Sequence, residues 1–334
     1  MNLIDNIEIK NFKSIRHQKI EGYKRVNVFI GYPNEGKSNI LQALSLYGVN
    51  NIDNHSIADL VRLENPPNIF FNGDIENVAS IKLNGIVEIN VQYVNDGKLL
   101  VNCSEVDELG KIDKSIFKFT INKDFSFTEP MSNLNYDLNN DTSVIGNIVK
   151  YSFKKEALNE PSDDNLVLNS PFGNNLYSLI QYNSELRNEV KELLKEYSLS
   201  LIFDQGSQIT KVIKNVSDEN VFIISFNLLA DTLLRLIFYK AAILSNKHKS
   251  TVLLFEEPEA HMFPPYISKF KGNIKYDENN NQFFIATHSP FVINDFMENL
   301  RKDDYSIYTV GYDNETGETL IRRMTDEELH EIYQ

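Results

Sequence analysis

The chain has 334 residues, of which 42% are hydrophobic and 24% charged, as in ordinary soluble globular proteins. No apolar run approaches the roughly 18 residues of a membrane span, and the single cysteine excludes an internal disulfide. We therefore expect a cytoplasmic protein with no membrane partner. The net charge of −14 argues against a surface wholly devoted to nucleic acid, although basic residues crowd the N-terminal segment.

The first half of the chain is predicted to be rich in strands. An initial strand pair precedes a third strand at residues 26–30, and apolar residues at 40, 41, 44 and 47 then predict a helix. A short helix is expected over 55–63 and strands over 69–127, with a hairpin turning at residues 95–97. Residues 130–170 are polar and lack periodicity, which predicts a loop.

The second half is predicted to alternate helices and strands. The expected elements are a helix at 176–197, strands at 200–203 and 208–213, a helix at 226–244, strands at 251–255 and 282–286, a hairpin at 305–312 and 319–324, and a helix at 325–332. This order predicts an α/β protein with a mixed core sheet, an antiparallel β subdomain and an inserted helical lid. We expect segment 1–128 to form the first part of the core domain, 129–220 the lid, and 221–334 the rest.

Residues 31–38, Gly-Tyr-Pro-Asn-Glu-Gly-Lys-Ser, fit the phosphate-loop pattern G-x-x-x-x-G-K-[ST] between a predicted strand and a predicted helix. The two glycines allow a tight turn that points backbone N–H groups at phosphates. Lys37 would contact the β- and γ-phosphates, and the Ser38 hydroxyl would bind Mg²⁺. The alternative is a chance glycine turn, which the flanking strand and helix argue against. The residues expected to bind ATP are Gly31, Asn34, Gly36, Lys37, Ser38 and Asn39, and Lys37 is also a candidate catalytic residue.

Polar residues follow two further apolar strands. Glu256 and Glu257 come directly after residues 251–255, at the carboxyl end of a core strand, where α/β sheets present ligand groups. One of them would hold Mg²⁺ through water, and the other would orient or deprotonate an attacking water. His288 follows residues 282–286 and could hydrogen-bond a γ-phosphate. The alternatives are an acidic surface turn and a structural histidine.

The segments PNEGKSNILQAL, LLFEEPEAHMFPPY and FFIATHSPFVIN resemble the Walker A, Walker B and switch-histidine segments of ABC-type ATPases. The chain is similar to bacterial AAA family ATPases related to RecF, SMC and OLD-family proteins. This resemblance implies a P-loop NTPase fold of ABC type with ATP and Mg²⁺ as cofactors. It implies that Glu256 binds magnesium, that Glu257 is the catalytic glutamate, and that His288 is the switch histidine. It also places residues 11–13 near the base or ribose.

The resemblance further implies a homodimer or larger assembly, because a signature segment with Ser and Gly normally completes the partner's site. Here residues 229–236 carry Ala230 and Thr232 at those positions, so we expect slow or partner-stimulated hydrolysis. OLD-family relatives carry a Toprim nuclease domain that we do not expect here, and an effector nuclease would then act in trans, in an anti-phage setting. Two alternatives stay open: a RecF-like DNA-binding repair ATPase, for which DNA binding is not indicated, and a nucleotide sensor that does not hydrolyse ATP.

Overall fold

The computed structural model describes residues 3–51, 56–107, 110–127, 131–132, 145–159, 166–204, 209–215, 220–246 and 250–332. The chain divides into two compact units. The first consists of Met1–Lys150, Ser250–Glu257 and Asn280–Gln334, and the second of Tyr151–Lys249 and Pro258–Asn279. All the candidate site residues lie in the first unit.

The secondary structure elements are numbered in chain order. The strands are β1 Asn6–Phe12, β2 Ile15–Glu21, β3 Val26–Ile30, β4 Ala79–Leu83, β5 Val87–Val94, β6 Lys98–Val106, β7 Ile112–Ile121, β8 Met131–Ser132, β9 Ile148–Tyr151, β10 Leu199–Asp204, β11 Ile209–Asn215, β12 Val221–Ser225, β13 Val252–Glu256, β14 Gln282–Thr287, β15 Tyr305–Asp313 and β16 Glu318–Arg323. The α-helices are α1 Lys37–Ser45, α2 Leu176–Tyr182, α3 Ser184–Lys195, α4 Asp231–Ser245, α5 Pro264–Lys275, α6 Pro290–Asn299 and α7 Asp326–Ile332.

The core sheet of the first unit has six strands among the described residues, in the order β16-β15-β3-β14-β13-β9. Strands β13, β14, β3 and β15 pair in parallel, and β16 pairs antiparallel with β15. All of β14 and nearly all of β13 is buried, as expected for parallel strands covered on both faces. Glu256 lies beside Ala286, and Thr287 lies beside Ile30. The carboxyl ends of β3, β13 and β14 therefore meet at one edge of the sheet.

The second sheet of this unit is antiparallel and, within the described ranges, runs in the order β2-β1-β4-β5-β6-β7-β8. The predicted hairpin joins β5 to β6, with Val94 paired with Lys98. Strand β4 alternates buried and partly buried residues, which is the pattern of a sheet with one face on a core. The expected antiparallel β subdomain is confirmed.

The second unit contains helices α2 to α5 and a three-stranded sheet, β10-β11-β12. Where the pattern predicted one helix over 176–197, the chain forms two, because the Asn183 side chain accepts a hydrogen bond from the Leu186 N–H and caps α3. Residues 221–246 belong to this unit, although the sequence grouped them with the Walker B segment. The three-segment domain boundaries themselves stay a prediction.

Other predicted elements were wrong in part. In the described part of 55–63, the predicted helix is only a 3₁₀ turn, Ile57–Asp59, although the buried residues Ile57, Leu60 and Val61 keep helical spacing. The strand expected from residue 69 is replaced by the 3₁₀ turns Pro66–Ile69 and Phe71–Gly73, the first of which begins with prolines suited to a helical first turn.

Among the described residues, the strands β8, β9 and β12 and the helices α5 and α6 were missed. Strands β8 and β9 lie inside the loop predicted for 130–170, of which residues 130, 133–144 and 160–165 are outside the described ranges. Helices α5 and α6 were not predicted, although both begin with proline at the first helical position, a recognised start signal.

Candidate functional site

The phosphate loop connects β3 to α1, as its sequence predicts. Asn34 and Gly36 have φ angles of 65° and 92°, so the chain makes a left-handed turn that gathers backbone N–H groups at the start of α1. The Lys37 ammonium donates to Gly31 O at 2.9 Å and to Tyr32 O at 2.6 Å, and the side chain is buried. The lysine therefore spans the loop and holds its charge against the backbone of the turn.

A network of hydroxyl groups packs against this loop. The sequence did not predict it. Ser14 and Thr319 Oγ atoms are 2.5 Å apart, and Thr319 Oγ1 also donates to Glu35 O at 2.9 Å. The Asn39 amide donates to Ser14 Oγ at 2.7 Å, so its side chain contacts this support network. A Cβ on Gly36 would lie 2.1 Å from Thr319 Oγ1, so any residue with a Cβ would have to displace the Thr319 side chain.

Glu256 ends β13 at the same sheet edge. Its side chain is 6% exposed and faces two cations that sequence reasoning missed. Arg62 NH2 lies 2.8 Å from Oε1, and Lys150 Nζ lies 3.7 Å from Oε2. Burial lowers the pKa of Lys150, and the Glu256 carboxylate opposes that shift. Only the fold could have revealed the contacts, because neither cation belongs to a local motif.

Glu257 and His288 are in direct contact. Glu257 has a φ of 46° and donates its N–H to Ala286 O at 2.8 Å, so a non-glycine residue is held in a sparsely populated conformation. His288 Nε2 lies 2.5 Å from Glu257 Oε1, and Nδ1 lies 3.1 Å from Gly31 O. Both partners are acceptors, so a ring protonated on both nitrogens would donate to both.

The Lys13 side chain, from the segment that the resemblance placed near the nucleotide, contacts Gln42 and Arg62. Its ammonium donates to Gln42 Oε1 at 2.9 Å and to Arg62 O at 2.5 Å. Burial, followed by repulsion from Arg62 and Lys150, lowers its pKa to about 8. The Asn11 side chain accepts a hydrogen bond from the Phe71 N–H and donates to Asp74 O and Asn77 O. It therefore anchors the turn that precedes β4. Contact with the base or ribose stays a prediction.

The signature segment lies in the second unit, at the start of α4. Ala230 occupies the N-cap position without a side-chain hydrogen bond. Thr232 Oγ1 donates to His261 O at 3.0 Å, and Asp231 pairs with Arg235 at 3.1 Å. The role of the segment in a second subunit's site stays a prediction.

The oxygen ligands of Ser38 and Glu256 suit Mg²⁺ only when a nucleotide is bound as well. Ser38 and Glu256 offer hydroxyl and carboxylate oxygens, which are the ligands that Mg²⁺ prefers. Within the described ranges, no group of three His, Cys, Asp or Glu side chains could hold a metal ion. Phosphate oxygens and water would have to supply the remaining ligands, as is usual at phosphate loops.

The basic N-terminal face is largely paired with acids of the same unit. Lys10 contacts Glu8 at 2.8 Å, and Lys19 contacts Glu21 at 2.5 Å. His17 also lies 2.8 Å from Glu8. These pairs reduce the charge available to a phosphate backbone, so they do not favour the DNA-binding alternative.

Two comparisons of the sequence show which known proteins the chain is similar to. A family model described as "AAA domain, putative AbiEii toxin, Type IV TA system" matches residues 26–294. A Helicobacter pylori protein described as "ATP/GTP phosphatase" is 22% identical over 348 residues, covering 92% of this chain and 91% of that protein.

Solved structures show the same fold. The SMC head bound to the C-winged helix domain of ScpA is 15% identical, with a TM-score of 0.55 over 98% of this chain and 99% of that one. An SMC head with an extended coiled coil, bound to a ScpA domain derived from Pyrococcus furiosus, is 14% identical, with a TM-score of 0.51 over 98% of each chain. The predicted α/β P-loop fold of ABC type is confirmed.

None of the helices in the described part of the chain combines the length and the apolar character needed to cross a membrane. The family model spans well over half of the residues, and its match agrees with the loop, the strand order and the SMC-like fold. The chain therefore belongs to this AAA-domain family, and its fold is similar to that of SMC heads.

Proposed function

We propose that the chain is a Mg²⁺-dependent ATPase whose nucleotide state controls an assembly. The observation that carries the proposal is His288, whose two ring nitrogens reach Gly31 O at 3.1 Å and Glu257 Oε1 at 2.5 Å. One side chain thus contacts both the loop suited to phosphates and the acid suited to water. Phosphoryl transfer to water needs these groups side by side, because the attacking water must lie in line with the γ-phosphate.

Each residue has a distinct role in this proposal. The loop N–H groups and the Lys37 ammonium bind the β- and γ-phosphates. Ser38 and Glu256 would hold Mg²⁺, which would supply positive charge against the charge developing on the phosphates. Glu257 orients the attacking water and accepts its proton, and His288 responds to the γ-phosphate by exchanging its contact with Gly31.

The γ-phosphate would order the loop and the surface that meets a second copy or an effector, and its loss would release them. The relative described as an ATP/GTP phosphatase supports the hydrolytic step. The family description as a putative toxin of a Type IV TA system is compatible with an anti-phage setting. The effector that we propose there, such as a nuclease, would act in trans. The SMC heads bound to ScpA domains support partner control.

The test is single-turnover hydrolysis of radiolabelled ATP with Mg²⁺ by the wild type and by Glu257→Gln. The variant should lose a factor of about 10² to 10⁴, the usual contribution of a general base, while still binding ATP. Glu76→Gln, at an exposed acid in the same unit, is the matched control and should match the wild type. Equal rates for the wild type and Glu257→Gln would refute the assignment.

The alternative of a sensor without hydrolysis is favoured by the signature segment. Ala230 has no side-chain oxygen, and the Thr232 hydroxyl already donates to His261 O. Either feature would weaken capping of a partner's γ-phosphate. The same assay separates the two functions for the isolated chain: a wild type that binds ATP but turns it over no faster than solution does would favour the sensor.

A further inference from the structure

The candidate magnesium ligand Glu256 is held between two cations from different parts of the first unit. Arg62 NH2 lies 2.8 Å from one carboxylate oxygen, and Lys150 Nζ lies 3.7 Å from the other. Both oxygens therefore already face positive charge. A divalent cation approaching Glu256 would meet a local charge of the same sign as its own.

The two cations differ in their freedom to move. Lys150 is buried on β9 and donates to Leu60 O at 2.8 Å, so it is fixed. The Arg62 side chain is 73% exposed, whereas its backbone is fixed: its N–H donates to Gln42 Oε1 at 3.1 Å, and its carbonyl accepts from the Lys13 ammonium at 2.5 Å. The arginine side chain can thus leave Glu256 by rotation, without movement of the backbone.

We propose that Arg62 is a positioning residue that competes with the divalent cation for Glu256, so that loading of the metal requires the arginine side chain to leave. The inference rests on the proposed function, because it takes Glu256 as the metal ligand. Lys150 stays beside the carboxylate when Arg62 leaves, so the exchange never leaves a buried, uncompensated charge. The Arg62–Glu256 ion pair therefore raises the Mg²⁺ concentration that is needed for the Mg²⁺–nucleotide complex to bind. Arg62 in this way sets the dependence of nucleotide binding on Mg²⁺.

The test measures the Mg²⁺ concentration at half-maximal thermal stabilisation by ATPγS. Arg62→Gln should lower this midpoint by about two- to fivefold, the range set by loss of one partly exposed ion pair. Arg62→Lys, which keeps the charge, should stay near the wild type. Arg301→Gln is the matched control, because Arg301 is exposed and pairs with Asp304 in the same unit at 3.0 Å. It should leave the midpoint unchanged.

A double-mutant cycle completes the test. In a Glu256→Gln background, Arg62→Gln should no longer shift the midpoint, because the shared carboxylate is gone. An unchanged or raised midpoint in Arg62→Gln, with stabilisation by ATPγS intact, would overturn this inference alone. No stabilisation of the wild type at any Mg²⁺ concentration would overturn the proposed nucleotide site and, with it, the inference.

Discussion

Gly36 is the position where the geometry of the phosphate loop is most constrained. Its φ of 92° is left-handed, and an added Cβ would lie 2.1 Å from Thr319 Oγ1 and 2.7 Å from Ser14 Oγ. The left-handed conformation costs a residue with a Cβ about 1–2 kcal/mol. Displacing Thr319 would also weaken its hydrogen bonds to Ser14 and Glu35, at about 1 kcal/mol each. Gly36→Ala should therefore lower the free energy of unfolding by about 3–4 kcal/mol in all.

The matched control is Gly85→Ala. Gly85 has a φ of 69°, but an added Cβ there would meet nothing within 4 Å. Gly85→Ala should therefore lower the free energy of unfolding only by the cost of the left-handed conformation, about 1–2 kcal/mol. Urea unfolding followed by circular dichroism measures both values, since the chain has no tryptophan to report by fluorescence. If Gly36→Ala is destabilised no more than Gly85→Ala, the support assigned to Ser14 and Thr319 is refuted.

Two further predictions concern protonation and assembly. The pKa of Lys13 is lowered from 10.5 to about 8 in the folded chain. Between pH 8 and 10.5 the unfolded chain therefore binds more protons than the folded chain, and the free energy of unfolding of the wild type rises with pH over this interval. Lys13→Met should lack this gain in urea titrations between pH 8 and 10.5; an identical pH profile would contradict the burial of the ammonium. Glu257→Gln, which should retain ATP, is expected to double in mass by light scattering on addition of Mg·ATP. An unchanged mass with ATP bound would instead indicate a sensor or one half of a hetero-complex.

Local motifs carried most of what could be predicted from the sequence. The glycines and Lys37 lie within one short segment, and their pattern alone implies a strand, a loop and a helix. The acids after β13 and the histidine after β14 followed from the rule that parallel strands present ligands at their carboxyl ends. The register of Glu256 beside Ala286 brings those ends together.

Contacts between distant segments could not be predicted in this way. Ser14 and Thr319 are 305 positions apart, and nothing in either local sequence marks a hydroxyl pair beneath the phosphate loop. Arg62 lies in a segment wrongly predicted as a helix, and Lys150 lies within a predicted loop, so neither was expected near Glu256. Such residues are selected by the fold around the site, and a pattern in a single sequence does not reveal them.

The most direct test of the account is equilibrium binding of labelled ATP, with Mg²⁺, to the wild type and to Lys37→Ala. The Lys37 ammonium lies on the phosphate loop, 2.9 Å from Gly31 O and 2.6 Å from Tyr32 O. A charged hydrogen bond contributes about 1.5–3 kcal/mol, so its loss should weaken ATP binding by roughly 10- to 100-fold. Circular dichroism should confirm that the variant is folded. Equal affinity of the folded variant and the wild type would place the nucleotide elsewhere and contradict the account.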